Sequence, residues 1–331
     1  MSLPIPIQTA PMEALTASSI PRGPEWQYEP KWDGFRCLAF RDGDRMSMLS
    51  KSGQHLERYF PELVSALGAL RAKEFVLDGE ILILRDHRSD FDALLQRIHP
   101  AESRIRRLAA ETPATLTVFD ILADDRGRDL SKEPLARRRA ALEKFAGKYF
   151  QSPIQLSPAT HDFEEARNWL DHPKGELDGV VAKRVDVPYA AGARDAMVKI
   201  KKLRTADCVV GGFRYASKGK VVGSLLLGLY DEQGRLNHVG FTSGIPAAEK
   251  RELTKKLESL IEPPGFTGSA PGGPSRWSTR RSDEWKPLKP QLVVEVQFDH
   301  VTGHRFRHGT KLLRWRPDKN PKKCTMDQLK R

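Results

Sequence analysis

Apolar and polar positions recur every two residues through much of the chain and every three to four in a few stretches, and the contrast separates expected strands from expected helices. Residues 26–31 and 34–41 read as short strands with 32–34 between them, and Arg41-Asp42-Gly43-Asp44 as a hairpin turn into 45–49. Residues 61–72 predict a helix opened by Pro61, with Leu63, Val64, Leu67 and Leu70 on one face. The run 75–84, FVLDGEILIL, predicts a strand in which Gly79 marks a bend or a close backbone approach. Further strands are expected at 115–122, 179–183 and 197–201, helices at 134–146 and 162–171, and a turn at Pro173-Lys174-Gly175. The first 25 residues carry no clear period and read as an irregular lead-in.

The pattern changes after about residue 202. Short β-like segments at 206–215, 221–230 and 236–242 are separated by the turn-like Ser217-Lys218-Gly219-Lys220 and Asp231-Glu232-Gln233-Gly234. A helix is expected over 246–261, with Leu253, Leu257 and Leu260 near one face. Residues 262–290, rich in Pro, Gly and polar residues but carrying Trp277 and Trp285, read as a long ordered loop. Strand resumes at 291–299. A small β-barrel with one inserted helix fits this order.

The 331 residues, 39% hydrophobic and 30% charged, suit a soluble globular protein of two domains. No apolar run approaches the roughly 18 residues of a membrane span. The opening MSLPIPIQTAPMEAL lacks the basic region and apolar core of a signal peptide. Cys37, Cys208 and Cys324 are too scattered for a zinc cluster or a disulfide framework. A cytoplasmic protein is expected. The net charge of +12 is unevenly spread: residues 1–200 carry −1 and residues 201–331 carry +13. A basic second unit beside a neutral first one points to a polyanionic partner gripped by the second, the alternative being a solvated basic surface. Arg280 and Arg281 are a candidate phosphate-contact pair there.

The densest chemical signal is Glu29-Pro30-Lys31-Trp32-Asp33-Gly34-Phe35-Arg36, which sets one lysine at a turn between strands. A lysine is a covalent nucleophile when its amine is neutral, and nearby cations or desolvation favour that form. Glu80 follows Asp78-Gly79, and Asp178 precedes Gly179-Val180-Val181-Ala182-Lys183. Lys199 and Lys201 share one face of their strand. Carboxylates suit Mg²⁺ and lysines suit phosphate. None of the nine histidines stands beside an obvious nucleophile, and no GxxxxGK[ST] loop is present. The residues favour phosphoryl or nucleotidyl transfer over triad hydrolysis and leave the two transfers open.

Lys31-Trp32-Asp33-Gly34 resembles the KxDG signature of the covalent nucleotidyltransferases, which comprise DNA ligases, RNA ligases and mRNA capping enzymes. The segments that follow resemble that superfamily in order: Lys51 within Ser50-Lys51-Ser52-Gly53, then Leu77-Asp78-Gly79-Glu80, Val118-Phe119-Asp120, Asp178-Gly179-Val180-Val181-Ala182-Lys183 and Lys199-Ile200-Lys201. Arg314-Trp315-Arg316-Pro317-Asp318-Lys319 resembles the last motif of ATP-dependent DNA ligases. The match is best with the small bacterial C-type DNA ligases, which act in repair and lack an N-terminal helical DNA-binding domain. Three positions depart from the pattern: Asp178 replaces the usual Glu, Lys51 the usual Arg, and Met197 a position that is often aromatic.

The resemblance implies an α+β fold: a nucleotidyltransferase domain with ATP-grasp-like antiparallel sheets over 1–202, then an OB-fold β-barrel over 203–331. It implies sealing of 5′-phosphate/3′-hydroxyl nicks in duplex DNA through lysyl-AMP and DNA-adenylate, using ATP and Mg²⁺ or Mn²⁺. Lys31 would be the nucleophile, Glu29 would contact the adenine amino group and Phe119 would stack on the base. Arg36 and Lys51 would contact nucleotide or nick phosphate, and Lys183 would be a further nucleotide-binding residue. Lys199 and Lys201 would grip the α-phosphate, Glu80 would touch ribose or metal, and Asp178 would help hold metal. Arg316, Asp318 and Lys319 would close over ATP, with Asp318 a third metal ligand. A monomer, nucleoid-associated and open to repair-pathway partners, is the implied state. An RNA ligase is the nearest alternative, and a non-catalytic basic OB-fold binder of nucleic acid is the non-enzymatic one.

Overall fold

The computed structural model describes residues 3–85, 88–171, 177–217, 219–272 and 284–330. The Pro173-Lys174-Gly175 turn, Lys218, Trp277 and the Arg280-Arg281 pair lie outside the described residues. The chain divides into two compact units, Met1–Lys202 and Leu203–Arg331.

The first unit is built on two sheets. Its strands are β1 (Leu15–Thr16), β2 (Trp26–Trp32), β3 (Phe35–Asp42), β4 (Arg45–Ser50), β5 (Glu74–Leu82), β6 (Leu84–Arg85), β7 (Arg88–Ser89), β8 (Thr115–Ala123), β9 (Ile154–Leu156), β10 (Leu177–Arg184) and β11 (Met197–Lys201). One sheet runs β1-β11-β10-β2 and the other β4-β3-β5-β8-β9, while β6 and β7 pair with each other. Helices α1 (Pro61–Ala69), α2 (Phe91–Gln96), α3 (Glu102–Glu111), α4 (Leu135–Tyr149) and α5 (Phe163–Asp171) complete the unit.

Both faces of the five-stranded sheet are covered, so its strands are apolar on both sides. In β3, Cys37 and Ala39 pack into the core formed with α1 and α4, through Leu63, Leu67, Leu142 and Phe145. The alternate residues Leu38 and Phe40 pack the opposite way, into a cluster with Met197 of β11 and Val181 of β10. That second cluster joins the two sheets. The outer face of the four-stranded sheet, Tyr28, Val180, Ala182 and Ile200, is covered by Phe163, Ala166 and Trp169 of α5.

Several expectations need correction. The sheets are mixed rather than purely antiparallel, because β1 lies parallel to β11 and β9 parallel to β8. The lead-in is pinned: β1 extends the four-stranded sheet, and Ile5 and Met12 are buried. Helices α2 and α3 were not anticipated, and α3 buries only Ile105, too little apolar periodicity to read. Helix α1 stops at Ala69 because Leu70 turns to an extended ψ of 141°.

The second unit contains β12 (Arg204–Tyr215), β13 (Val222–Tyr230), β14 (Leu236–Thr242), α6 (Lys250–Glu258), β15 (Lys286–Pro287), β16 (Val293–Phe298), β17 (Val301–Thr302), β18 (Arg305–Phe306) and β19 (Lys311–Trp315). The main sheet runs β14-β13-β12-β16-β19, with β15 also on β12 and β17 paired to β18. Thr242, the last residue of β14, makes one isolated parallel bridge to Thr310, just before β19, and no ladder closes the sheet into a barrel among the described residues. Helix α6 is shorter than the expected 246–261, and the expected loop 262–290 contributes β15. Trp285 packs edge-on against Phe266 at 5.5 Å, over Gly212, where a Cβ would come within 2.6 Å of the indole. No helix among the described residues is long and apolar enough to cross a membrane.

Candidate active site

The strand register gathers the charged residues of the four-stranded sheet on one face. Val181 lies opposite both Glu29 and Lys199, Gly179 opposite both Lys31 and Lys201, and Lys183 opposite Met197. Directly paired residues share a face, and so do residues two apart along a strand. Glu29, Lys31, Lys183, Lys199 and Lys201 therefore all project to the side opposite α5. From the five-stranded sheet, Arg36 and Glu80 form a cross-strand pair on the face that meets the other sheet.

Two residues reach the site through irregularities. Between Leu177, paired with Trp32, and Gly179, paired with Lys31, Asp178 is an extra residue in the ladder. Between Val118, paired with Gly79, and Asp120, paired with Asp78, Phe119 is likewise extra. A bulge re-aims its unpaired residue and bends the strand. Gly179 makes the first possible: its φ is +144°, and a Cβ there would sit 2.0 Å from the Ile200 carbonyl oxygen.

Lys31 Nζ is ion-paired with Asp178, and Lys201 Nζ lies 3.8 Å from the same carboxylate oxygen. Glu29 is buried, pairing with Lys183 at 2.7 Å and accepting a 2.8 Å hydrogen bond from Gln27. The Phe119 ring is flanked by Lys183 Nζ at 4.6 Å and the Arg36 guanidinium at 4.4 Å from its centroid. Arg36 holds the fully buried Asp78 in a two-pronged pair of 2.5 and 2.6 Å, and the Tyr189 hydroxyl donates to Asp78 at 2.6 Å. Burial works against the Arg36 charge, but Asp78 outweighs it and raises the pKa. Burial raises the Glu80 carboxyl to about 7 despite the pull of Arg36 and Lys31. The Lys199 amine is lowered by burial and then by the neighbouring Lys31, Lys201 and Lys51 charges.

One cavity is lined by Glu29, Lys31, Arg36, Lys51, Glu80, Phe119, Lys183 and Lys199, together with residues 11–14 of the lead-in. Asp178 and Lys201 adjoin it through Lys31. The remaining candidates belong to the second unit. Arg316 donates to Asp207 at 2.8 Å and to both oxygens of Asp318, and Lys319 pairs with Asp207 at 3.0 Å. The Arg316 hydrogen bonds hold the Asp318 carboxyl down at about 2. Both Asp318 oxygens accept from Arg316, and the Asp318 side chain is largely exposed.

Sequence reasoning missed Asp78, Tyr189, Asp207 and the lead-in residue Glu13. Asp78 had a signal, since it sits beside Glu80 in the Leu77-Asp78-Gly79-Glu80 motif. The others stand in no motif, and only folding brings them to their partners.

Residues 11–201 match the family described as ATP dependent DNA ligase domain, and residues 218–319 match the ATP dependent DNA ligase C terminal region. The chain is 44% identical to DNA ligase C of Mycobacterium tuberculosis, covering 100% of this chain and 96% of that protein. It is also 44% identical to DNA ligase C1 of Mycolicibacterium smegmatis, covering 99% and 96%. Among solved structures, a mycobacterial DNA ligase D complexed with ATP and MES is 27% identical, with a TM-score of 0.50, over 96% of this chain and 98% of that one. A Lig E DNA ligase shares the fold at 17% identity, with a TM-score of 0.58, over 92% and 99%. The first unit of the present chain is an α+β nucleotidyltransferase domain with mixed sheets. The chain belongs to the ATP-dependent DNA ligases, enzymes that seal nicked duplex DNA through adenylylation.

Proposed function

We propose that Lys31 is the residue that carries AMP. The supporting observation is its position: it lines a cavity with Glu29, Phe119 and Lys199, and it is paired with the bulged Asp178. In the first step the neutral Lys31 amine attacks the α-phosphorus of ATP. The Nζ–P bond forms as the amine gives up a proton to solvent, the bond from that phosphorus to the β-phosphate oxygen breaks, and pyrophosphate leaves. In the second, an oxygen of the nick 5′-phosphate attacks the same phosphorus, the Nζ–P bond breaks, and Lys31 leaves as the amine after taking a proton from solvent. In the third, the 3′-hydroxyl attacks the 5′-phosphate, loses its proton to solvent, and expels AMP as the phosphodiester forms.

The surrounding groups divide the work. Phe119 offers the face on which adenine stacks, and Glu29 and Lys183 recognise its polar edge. Lys199 and Lys201 offset charge on the α-phosphate, while Arg36 and Lys51 contact nucleotide or nick phosphate. No group of three or more His, Cys, Asp or Glu is gathered to hold a metal among the described residues. Glu80 lines the same cavity as Lys31, and Asp178 is ion-paired with Lys31, so each carboxylate stands near that lysine. That set fits Mg²⁺ or Mn²⁺, which keeps waters and takes its remaining ligands from phosphates. Bound there, the cation would neutralise charge building up on the phosphates.

We assign residues 1–202 to adenylation and 203–331 to an OB fold. The meander β12-β13-β14, the addition of β16 and β19 on the other side of β12, and the parallel Thr242–Thr310 bridge support a partly open five-stranded barrel. The +13 charge of 201–331 supports a grip on the phosphates of nicked duplex DNA. Arg316 and Lys319 are proposed as further phosphate contacts in adenylation. Changing Lys31→Ala should abolish protein–AMP formation yet leave sealing of a pre-adenylated nick partly active. A mutant that still takes label from ATP at the wild-type rate would place the nucleophile elsewhere.

A further inference from the structure

Gln27, Glu29 and Lys31 follow one another on one face of β2, so Gln27 stands about 13 Å along the strand from the reacting lysine. In the register it lies directly opposite Lys183 of β10, one row further from Lys31 than the row of Glu29, Val181 and Lys199. Gln27 belongs to no motif, and it is buried without lining the cavity. Its side-chain amide donates to Glu29 Oε1 at 2.8 Å, while Lys183 Nζ stands 2.7 Å from Glu29 Oε2. Each oxygen of the buried Glu29 carboxylate is thus held by a different buried side chain. Lys183 also lies over the Phe119 ring, so this group of three ends on the stacking face.

We propose that Gln27 sets the preference of the site for adenine, by fixing how Glu29 presents its carboxylate to the base. This rests on the reading of Glu29 and Lys183 as the pair that meets the polar edge of the base. An ion pair places a hydrogen-bond acceptor beside a donor. Adenine answers in that order, with its 6-amino donor and N1 acceptor. Guanine answers in the reverse order, with its N1–H donor and 6-keto acceptor. The pair by itself therefore fits either base, once the carboxylate swings to the other position. Gln27 removes that freedom. Anchored at one oxygen by Gln27 and at the other by Lys183, the carboxylate keeps a single order, and a hydrogen bond to a charged acceptor is strong enough to hold it. Gln27 touches Glu29 and not the cavity, so it is a positioning residue. A glutamine that served only to satisfy its own buried amide would have no effect on the choice of base.

The test uses the full-length enzyme and follows nucleotidyl transfer to the protein from ATP, GTP and purine riboside 5′-triphosphate, which is ATP without its 6-amino group. Gln27→Met keeps the length of the side chain and removes the donor, and Gln27→Leu is a second apolar replacement should the first fail to fold. Either should raise the KM for ATP about tenfold with little change in kcat, the equivalent of one hydrogen bond to a charged group. The KM for purine riboside triphosphate should not move, because that base has no amino group for Glu29 to hold. The ratio of kcat/KM for ATP to that for GTP should fall by about tenfold. A variant that loses activity equally with all three nucleotides, or one that keeps the wild-type ratios, would make Gln27 a structural residue and overturn the proposal. Glu29→Gln in the same assay tells its failure from that of the parent reading. If Glu29→Gln narrows the gap between ATP and purine riboside triphosphate and Gln27→Met does not, Glu29 meets the amino group and the proposal for Gln27 alone falls. If neither variant narrows that gap, Glu29 does not meet the amino group and both fall.

Discussion

Asp178 and Phe119 break the two-residue alternation of their strands, and each does so as the extra residue of a bulge. That is why their partners were invisible in the sequence although the residues themselves were not: alternation says which residues share a face only while the register holds. The Lys31, Lys199 and Lys201 placements were legible because their strands are regular beside them. The anchoring of Arg36 was not, since Asp78 and Tyr189 lie 42 and 111 residues from their partners. Arg36→Lys should lose one of the two parallel hydrogen bonds to the buried Asp78. We expect a loss of about 1–3 kcal/mol in urea unfolding and weaker ATP binding. Stability unchanged within error would mean that the pair adds nothing to the fold. His238 gives a pH prediction. Burial, and then the charges of Arg305 and Arg214, depress its pKa from 6.5 to about 3. Above pH 6.5 it is neutral folded or unfolded. As pH falls from 6.5 toward 3, the unfolded chain takes up a proton that the folded one refuses. Stability must therefore drop, by up to about 1.4 kcal/mol per pH unit. Urea titrations of His238→Phe at several pH values should show an acid limb shallower by one proton, and an unaltered limb would refute the assignment.

At the scale of elements, the long strands and the hairpin at Gly43 were readable because apolar alternation and turn chemistry agree. The short pieces were not. Two residues of β1 and two of β15 have no period to detect, and their pairing with β11 and β12 depends on what the fold brings near. Glycines mark the places where elements approach most closely. A Cβ on Gly34 would meet the Ile81 carbonyl oxygen at 2.2 Å, so the glycine of the Lys31-Trp32-Asp33-Gly34 turn lets β3 begin against β5. Gly179 is more demanding, joining a positive φ to a 2.0 Å approach to Ile200. Gly179→Ala should push β10 from β11, cost about 3 kcal/mol and shift Asp178 away from Lys31. Chemical denaturation paired with an adenylation assay checks both effects. A fully stable, fully active Gly179→Ala protein would show that the close approach is dispensable.

For the whole molecule, the unequal division of charge was readable at once, and it is a statement about a partner rather than about the fold. The family resemblance was readable because its motifs are ordered along the chain, whereas the mixed sheets and the pinned lead-in depend on pairings that no motif encodes. If the basic 201–331 segment grips duplex phosphates, the affinity for nicked duplex should fall steeply with salt, with a log–log slope near −0.9 per neutralised phosphate. A flat salt dependence would remove the electrostatic part of the account.

The central claim, that Lys31 carries AMP between ATP and the nick, is tested most directly by peptide mass spectrometry. The enzyme is incubated with ATP and the divalent cation, and then chased with nicked duplex DNA. The account predicts an AMP adduct on the peptide containing Lys31, localised to that lysine, which disappears as sealed strand accumulates. An adduct on a different residue, or one on Lys31 that nicked DNA does not discharge, would contradict it.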